Sequence, residues 1–262
     1  MHHNNDKKIK IMTKVVYVNP DCGEYIGDLE YMTEKELLCF AEKCNNAEIY
    51  TLEEFQESFN NEEISDLGHI FFVKSALRLD AENFPDPNFR KALAKKLKIN
   101  EGDEITDEMI WQTTKLNVSD EAITNLKGIE HFPALKWLHC NNNQLTTLDV
   151  SQNTALKTLY CDRNQLTTID VSKNTKLELL SCGRNQLTSL DVSKNIKLEL
   201  LSCIRNQLTS LDVSKNIKLE ILYCDFNQLA KLDLLKNTAL TWLGCKGNPL
   251  TTLARPKYTM LC

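Results

Sequence analysis

A unit of 21 residues recurs through the second half of the chain, and it constrains the fold more than any other feature. The unit reads L-x-x-L-x-C-x-x-N-x-L-x-x-L-D-V-S-x-N-x-x, and its six copies begin at Leu135, Leu156, Leu177, Leu198, Leu219 and Leu240. Self-similarity at a fixed period of this length predicts a solenoid in which each repeat forms one coil. One coil cannot bury its own leucines, so neighbouring coils stack and share a continuous core.

Each unit predicts one short strand followed by a return segment. In Leu138-x-Cys140 alternate side chains point inward, which is the two-residue period of a strand. Stacked repeats therefore build a parallel sheet with strands about 4.8 Å apart. The second half of the unit, Leu145 to Val150 in the first copy, is too short for a full helix. We expect extended or 3₁₀ backbone there.

Besides the leucines, two columns of the repeat hold a single residue type in all six copies. They are the cysteines Cys140, Cys161, Cys182, Cys203, Cys224 and Cys245 and the asparagines Asn143, Asn164, Asn185, Asn206, Asn227 and Asn248. We interpret the cysteines as buried, reduced thiols, because a Cβ spacing of about 4.8 Å exceeds the roughly 3.8 Å of a disulfide. Without C-x₂-C pairs they do not form a zinc site. The asparagine amides can bond backbone groups where the chain turns out of the strand.

On these residues the segment from Leu79 to Cys262 resembles bacterial leucine-rich-repeat proteins, especially the internalin-like type with a cysteine ladder. The resemblance implies an α/β fold class: a leucine-rich-repeat solenoid with a parallel sheet on its concave face and little or no helix on its convex side. It also implies a helical N-terminal cap. The function it implies is that of a protein-binding scaffold without catalytic activity.

The remaining sequence predicts three segments before the repeats. They are a disordered start (1–11), a small α/β domain of unknown role (12–74), and a linker with a helical cap and a divergent first repeat (75–134), followed by the six repeats (135–262). The small domain has a β-α-β-α-β order, which predicts a buried, mostly parallel sheet. Its predicted elements are the strands Thr13–Val18, Ala47–Tyr50 and His69–Val73 and the helices Thr33–Cys44 and Thr51–Asn60.

Both ends of the repeat array carry their own signals. Asp86 is a predicted N-cap with Pro87 at the first helical position, and Thr106 begins a second short helix. The sixth repeat departs from the template, because Ala254-Arg-Pro-Lys replaces D-V-S-K. No helical pattern follows it to cover the last strand. We therefore expect an uncapped C-terminal edge, through which the protein could self-associate.

Composition excludes several classes of protein. The net charge is −5, and neither half of the chain is basic enough to predict nucleic-acid binding. No apolar run is long enough to span a membrane. The N-terminus lacks the apolar region of a secretory signal, which predicts a cytoplasmic protein, with export by a non-classical route as the alternative. Nothing in the sequence predicts a catalytic residue, a metal site or a cofactor.

Candidate binding residues lie in the columns that vary between repeats, because the constant columns are structural. We expect them on the concave face, flanking the buried leucine and cysteine of each strand. They are Trp137, His139, Tyr160, Arg163, Leu179, Arg184, Leu200, Arg205, Ile221, Tyr223, Phe226 and Trp242. Apolar and aromatic residues in an outward strip are typical of an interaction site. Recent duplication of the repeat and sheet propensity are the competing explanations.

The three arginines in this set have two interpretations. Stacked one above another, Arg163, Arg184 and Arg205 could hold an acidic ligand or a phosphate. They could equally pair with the carboxylates of neighbouring columns, which are Asp162, Asp225, Glu178, Glu199 and Glu220. Because the surface carries both signs of charge, we expect internal salt bridges, each of which contributes little to stability.

These observations favour a non-enzymatic scaffold that binds a protein partner on the concave face of the solenoid. The first alternative is an exported or cell-surface protein of the adhesin or effector kind, which the internalin-like resemblance suggests. The second is an enzyme whose active site lies in residues 12–74, where the sequence contains no catalytic constellation.

Overall fold

The computed structural model describes residues 12–18, 47–51, 69–74, 77–257 and 259–261. The chain divides into two compact units, Met1–Leu77 and Arg78–Cys262.

The described part of the first unit is a three-stranded sheet. Its strands are β1 (Met12–Val18), β2 (Ala47–Thr51) and β3 (His69–Lys74), in the order β2-β1-β3. Both pairs are antiparallel, so the prediction of a mostly parallel sheet is wrong. A hydrophobic pattern does not encode strand direction, and connections as long as these can return to either end of a sheet. Apart from Thr51 at the end of β2, the predicted helices Thr33–Cys44 and Thr51–Asn60 lie outside the described residues.

The second unit begins with the predicted cap. Helix α1 (Pro87–Leu97) has Asp86 as its N-cap, and helix α2 (Asp107–Gln112) has Thr106 as its N-cap, as the sequence predicts. Phe89 and Leu93 of α1 are fully buried. They close the open end of the core that the first coil would otherwise expose to water.

The solenoid follows as one coil per repeat. Its sheet has eight parallel strands in the order β13-β11-β9-β8-β7-β6-β5-β4. These strands are β4 (Lys115–Asn117), β5 (Trp137–His139), β6 (Thr158–Tyr160), β7 (Leu179–Ser181), β8 (Leu200–Ser202), β9 (Ile221–Tyr223), β11 (Trp242–Gly244) and β13 (Met260–Leu261). The repeat fold predicted from the 21-residue period is confirmed.

The return side of the coils has extended backbone, as predicted. A second parallel pair lies there, β10 (Lys231–Asp233) with β12 (Thr252–Ala254), and an isolated parallel bridge joins Asp149 to Asp170. Neighbouring coils also bond where the strand turns into the return segment, as between the Gln186 N–H and the Leu166 carbonyl at 2.8 Å. Neighbouring coils are therefore hydrogen-bonded to each other on both sides of the solenoid.

The core is built from columns that repeat in every coil. The central strand leucines and the cysteines Cys140, Cys161, Cys182, Cys203 and Cys224 are fully buried, and the cysteines are free thiols. The predicted asparagine ladder forms: the Asn164 side chain donates to the carbonyls of Cys140 and Cys161 and accepts from the Leu145 N–H. A second ladder, to which the sequence assigned no role, contains Asn153, Asn174, Asn195, Asn216 and Asn237. Each of its amides donates to carbonyls of the preceding coil.

The end of the array extends one strand beyond the sixth repeat, and the C-terminal edge of the sheet is β13, which pairs on one side only. The strand of the sixth repeat is not the open edge, because Met260 and Leu261 pair with Trp242 and Leu243 as β13. A turn held by the hydrogen bond from the Arg255 guanidinium to the Thr259 carbonyl brings the chain back to this position. No periodic signal in the sequence predicts β13, because the residues after position 253 no longer follow the repeat.

Candidate functional site

The outward face of the large sheet corresponds to the concave face on which the sequence predicts the binding residues. One residue from each of the strands β5 to β9 and β11, directly opposite its neighbours in register, forms a continuous line that we call the outer row. Its members are Trp137, Thr158, Leu179, Leu200, Ile221 and Trp242. The side chain of Trp242 is 42% exposed, and the other five are half-buried. The leucine that follows each of them points into the core, which places the outer row on the solvent side.

A second row runs parallel to the first, two residues further along each strand. It contains His139, Tyr160, Ser181, Ser202, Tyr223 and Gly244. The rings of His139 and Tyr160 make an edge contact with 4.6 Å between centroids. Ser181 and Ser202 are buried between the larger side chains. The second row therefore has aromatic residues towards its ends and small residues at its centre.

The arginine row, Arg163, Arg184 and Arg205, lies in the turns after the strands. All three residues have left-handed backbone, with φ of 53°, 52° and 52°, as do Asn142 and Phe226 in the neighbouring coils. This turn conformation holds the side chains at the surface, where all three arginines are exposed. The Arg205 guanidinium lies 4.5 Å from the centre of the Phe226 ring, in cation–π geometry.

The prediction that the arginine row forms salt bridges with neighbouring carboxylates is wrong. Asp162 instead accepts hydrogen bonds from the Ser181 hydroxyl at 2.7 Å and the Gly183 N–H at 2.8 Å. Asp225 accepts from the Lys246 N–H at 2.9 Å. Both carboxylates are thus directed across to the next coil. Within residues 77–257 the arginine row makes no ion pair.

A row of glutamates borders the opposite side of the outer row. Glu178, Glu199 and Glu220 directly precede strands β7, β8 and β9, and we call them the glutamate row. Glu178 pairs with Lys157 of the preceding coil at 2.8 Å. From the sequence, these glutamates are expected only as partners for the arginines. Their position in the repeat, immediately before the outer row, is the signal that could have identified them as part of the face.

Burial shifts the pKa of several ionisable groups in the repeats. Burial raises the pKa of the Cys140, Cys182 and Cys224 thiols well above the ordinary range, so these thiols stay protonated near neutral pH. Burial also lowers the pKa of His139, which favours a neutral ring. Among the described residues, no group of three or more histidine, cysteine or acidic side chains could hold a metal ion. No helix in the described part of the chain is long and apolar enough to cross a bilayer.

Comparisons with known proteins agree with this architecture. Residues 133–174 match the family described as Leucine Rich repeats (2 copies). Internalin J of Listeria monocytogenes serotype 4b (strain F2365) is 43% identical over 71 residues, and that of serovar 1/2a (strain ATCC BAA-679 / EGD-e) is 44% identical over 71 residues. Each alignment covers 27% of this chain and 8% of the relative. The match therefore spans less than a tenth of these relatives.

Solved structures extend the similarity to most of the solenoid. The functional domain of Internalin J from Listeria monocytogenes, described as including a cysteine ladder, has a TM-score of 0.65 and 42% identity, over 68% of this chain and 39% of that one. Internalin C2 from Listeria monocytogenes strain 4b F2365 has a TM-score of 0.52 over 67% of this chain and 90% of that one. Its 21% identity shows a shared fold alone. The internalin-like solenoid and the cysteine ladder predicted from the sequence are confirmed.

Proposed function

We propose that this internalin-like leucine-rich-repeat chain is a non-enzymatic scaffold that binds a protein partner through the outward face of its sheet. The observation that carries the proposal is the outer row. Five of its six members are large and apolar, and they stand in register across six strands while remaining partly open to water. A continuous apolar strip between charged borders is typical of an interaction surface.

The composition of the face supports binding to protein. Trp137 and Trp242 stand at the two ends of the outer row, and Tyr160 and Tyr223 lie in the second row. Aromatic and arginine side chains are the residues that most often contribute the binding energy of protein interfaces. The Lys115 ammonium lies 4.5 Å from the centre of the Trp137 ring and borders this end of the strip with positive charge.

The sheet itself determines how a partner can bind. Strands β5 to β9 are each paired on both sides, so their backbone groups are already used. A partner therefore cannot add a strand here and must make its contacts through side chains. Since bonded neighbouring coils hold these side chains in place, binding loses little conformational entropy.

Affinity capture with the full chain tests this proposal. Three baits are compared: the wild type, the Leu200→Ser/Ile221→Ser variant, and a control variant, Ile196→Ser/Ile217→Ser. Ile196 and Ile217 are 55% and 59% exposed but lie in the turns before the strands, outside the outer row. The proposal predicts a protein that the wild type and the control retain and the outer-row variant loses. Equal recovery of every captured protein on all three baits would overturn it.

A further inference from the structure

The two borders of the outward face carry opposite charge within the same coils. The third repeat has Glu178 before its strand and Arg184 after it, and the fourth repeat has Glu199 before its strand and Arg205 after it. The centre of the outer row, Leu179 and Leu200, therefore lies between carboxylates and guanidinium groups. Within the described residues no salt bridge joins one border to the other.

A face with this charge pattern is complementary to itself. When two copies face each other about a two-fold axis that runs along the rows, the glutamate border of one copy lies opposite the arginine border of the other. Arg184 then meets Glu178, and Arg205 meets Glu199, because the axis keeps each repeat opposite the same repeat. Symmetry makes each contact occur twice. A two-fold axis along the strands would instead place arginines opposite arginines.

One contact opposes this arrangement. In the second repeat the axis places Lys157 opposite Arg163, which are like charges. Lys157 is already paired with Glu178 at 2.8 Å, so its charge is largely compensated within its own chain. The same ion pair engages Glu178, so the Arg205–Glu199 contact in the fourth repeat is the stronger of the two attractive contacts.

We propose that the partner of the outward face is a second copy of this chain, in a face-to-face dimer held by Arg184–Glu178 and Arg205–Glu199 contacts over the central leucines. This inference rests on the proposed function, because it names the partner of the same surface. Six coils about 4.8 Å apart and seven residues of about 3.3 Å each give a footprint of roughly 600 Å². That is below the roughly 800 Å² per partner of a standard interface, which makes the dimer weak.

Sedimentation of the full chain tests the inference directly. The wild type is expected to form a dimer with a Kd in the micromolar range at low salt. At 0.5 M NaCl the Kd of the dimer should rise at least tenfold, because salt screens the exposed charges. Two reversal variants probe the borders separately. Arg184→Glu/Arg205→Glu makes both borders acidic, and Glu178→Lys/Glu199→Lys makes both borders basic.

Mixing the two variants gives the most specific result. Each variant alone is expected to be monomeric, with a melting temperature close to that of the wild type, because Arg184, Arg205 and Glu199 are exposed and the Glu178 side chain is 41% exposed. An equimolar mixture restores a dimer with one chain of each kind, detectable by native mass spectrometry. The mixed dimer restores opposite charge at each contact. Misfolded variants would not form it, so its appearance shows that each variant alone loses the dimer through charge repulsion.

Three outcomes would overturn the inference: a wild type that stays monomeric up to several hundred micromolar, a dimer that both reversal variants retain, or a mixture that forms no mixed dimer. None of them bears on binding to a different protein. The broader proposal fails only if the outer-row variant and its control retain every captured protein equally.

Discussion

The carboxylate of Asp86 accepts hydrogen bonds from both the N–H and the hydroxyl of Thr124, at 2.7 Å each. Thr124 lies in the divergent first repeat, 38 residues along the chain. The other oxygen of Asp86 accepts from the N–H groups of Asn88 and Phe89 at the start of α1, at 2.9 Å each. One buried side chain therefore caps the helix and fastens it to the first coil.

Removing this side chain should destabilise the solenoid. In Asp86→Ala the helix loses its N-cap, which costs about 1 kcal/mol. The N–H groups of Thr124 and Asn125 also lose their acceptor, at a cost of about 1–3 kcal/mol. We expect urea denaturation to show a fall of about 2–4 kcal/mol in the free energy of unfolding. Glu82→Ala, at an exposed position beside the cap, is the control. A change below 0.5 kcal/mol in Asp86→Ala would refute the role of the cap.

The same carboxylate should make stability depend on pH. Burial raises the pKa of Asp86, but hydrogen bonds from Thr124, Phe89 and Asn125 outweigh this effect and hold the pKa below its ordinary value. A lowered pKa in the folded state stabilises the fold at pH values above about 4. This contribution is lost as the pH falls below about 4 towards the folded pKa. The difference in Tm between the wild type and Asp86→Asn should therefore shrink from pH 6 to pH 3. A constant difference would contradict the assignment.

The cysteine ladder should resist thiol reagents in the folded protein. Cys140, Cys161, Cys182, Cys203 and Cys224 are buried, and burial raises the pKa of all five. Because the thiolate is the reactive form, iodoacetamide at pH 8 should modify these five thiols only after unfolding. Peptide mass spectrometry before and after denaturant measures this for each of them. Rapid modification of all ten cysteines in native protein would show that the ladder is not packed.

Substitution of Asn185 tests the asparagine ladder that begins at Asn143. Asn185 accepts from the Leu166 N–H and donates to the carbonyls of Cys161 and Cys182, all at 3.0 Å. Asn185→Ala leaves the buried Leu166 N–H without its acceptor and removes one of the two amide donors from each of the two carbonyls, which keep their bonds from Asn164 and Asn206. It should cost about 1–3 kcal/mol in the free energy of unfolding. The neighbouring Gln186 has an exposed side chain, and Gln186→Ala should change stability by less than about 0.5 kcal/mol. Equal effects of the two substitutions would contradict the ladder.

The sequence was most informative where one physical requirement repeats in every coil. The leucine and cysteine columns and the Asn143 column recur at a fixed period, so strand, register and core followed from a single alignment. Asp86 and Thr106 were found by local capping chemistry, which depends on a few neighbouring residues. Thr158 was left out of the predicted site because it is polar, although the register places it in the outer row.

Features that depend on distant geometry were not predictable. The antiparallel pairing of β1 with β2 and β3 depends on the path of long connections rather than on strand pattern. The arginine row was assigned to salt bridges because the surface carries both signs of charge. In the structure, the left-handed turn places Arg163 and Arg184 outward while Asp162 bonds across to Ser181. Strand β13 lies beyond the last regular repeat and follows no period.

The affinity of a captured protein for purified variants tests the central claim most directly. Isothermal titration compares the wild type with Leu200→Ser/Ile221→Ser and with the control Ile196→Ser/Ile217→Ser. Loss of two apolar anchors from the centre of an interface costs on the order of 1–2 kcal/mol each. We therefore expect the Kd to rise at least tenfold for the outer-row variant, with an unchanged melting temperature, and less than twofold for the control. An unchanged Kd for a folded outer-row variant would contradict the assignment of binding to this face.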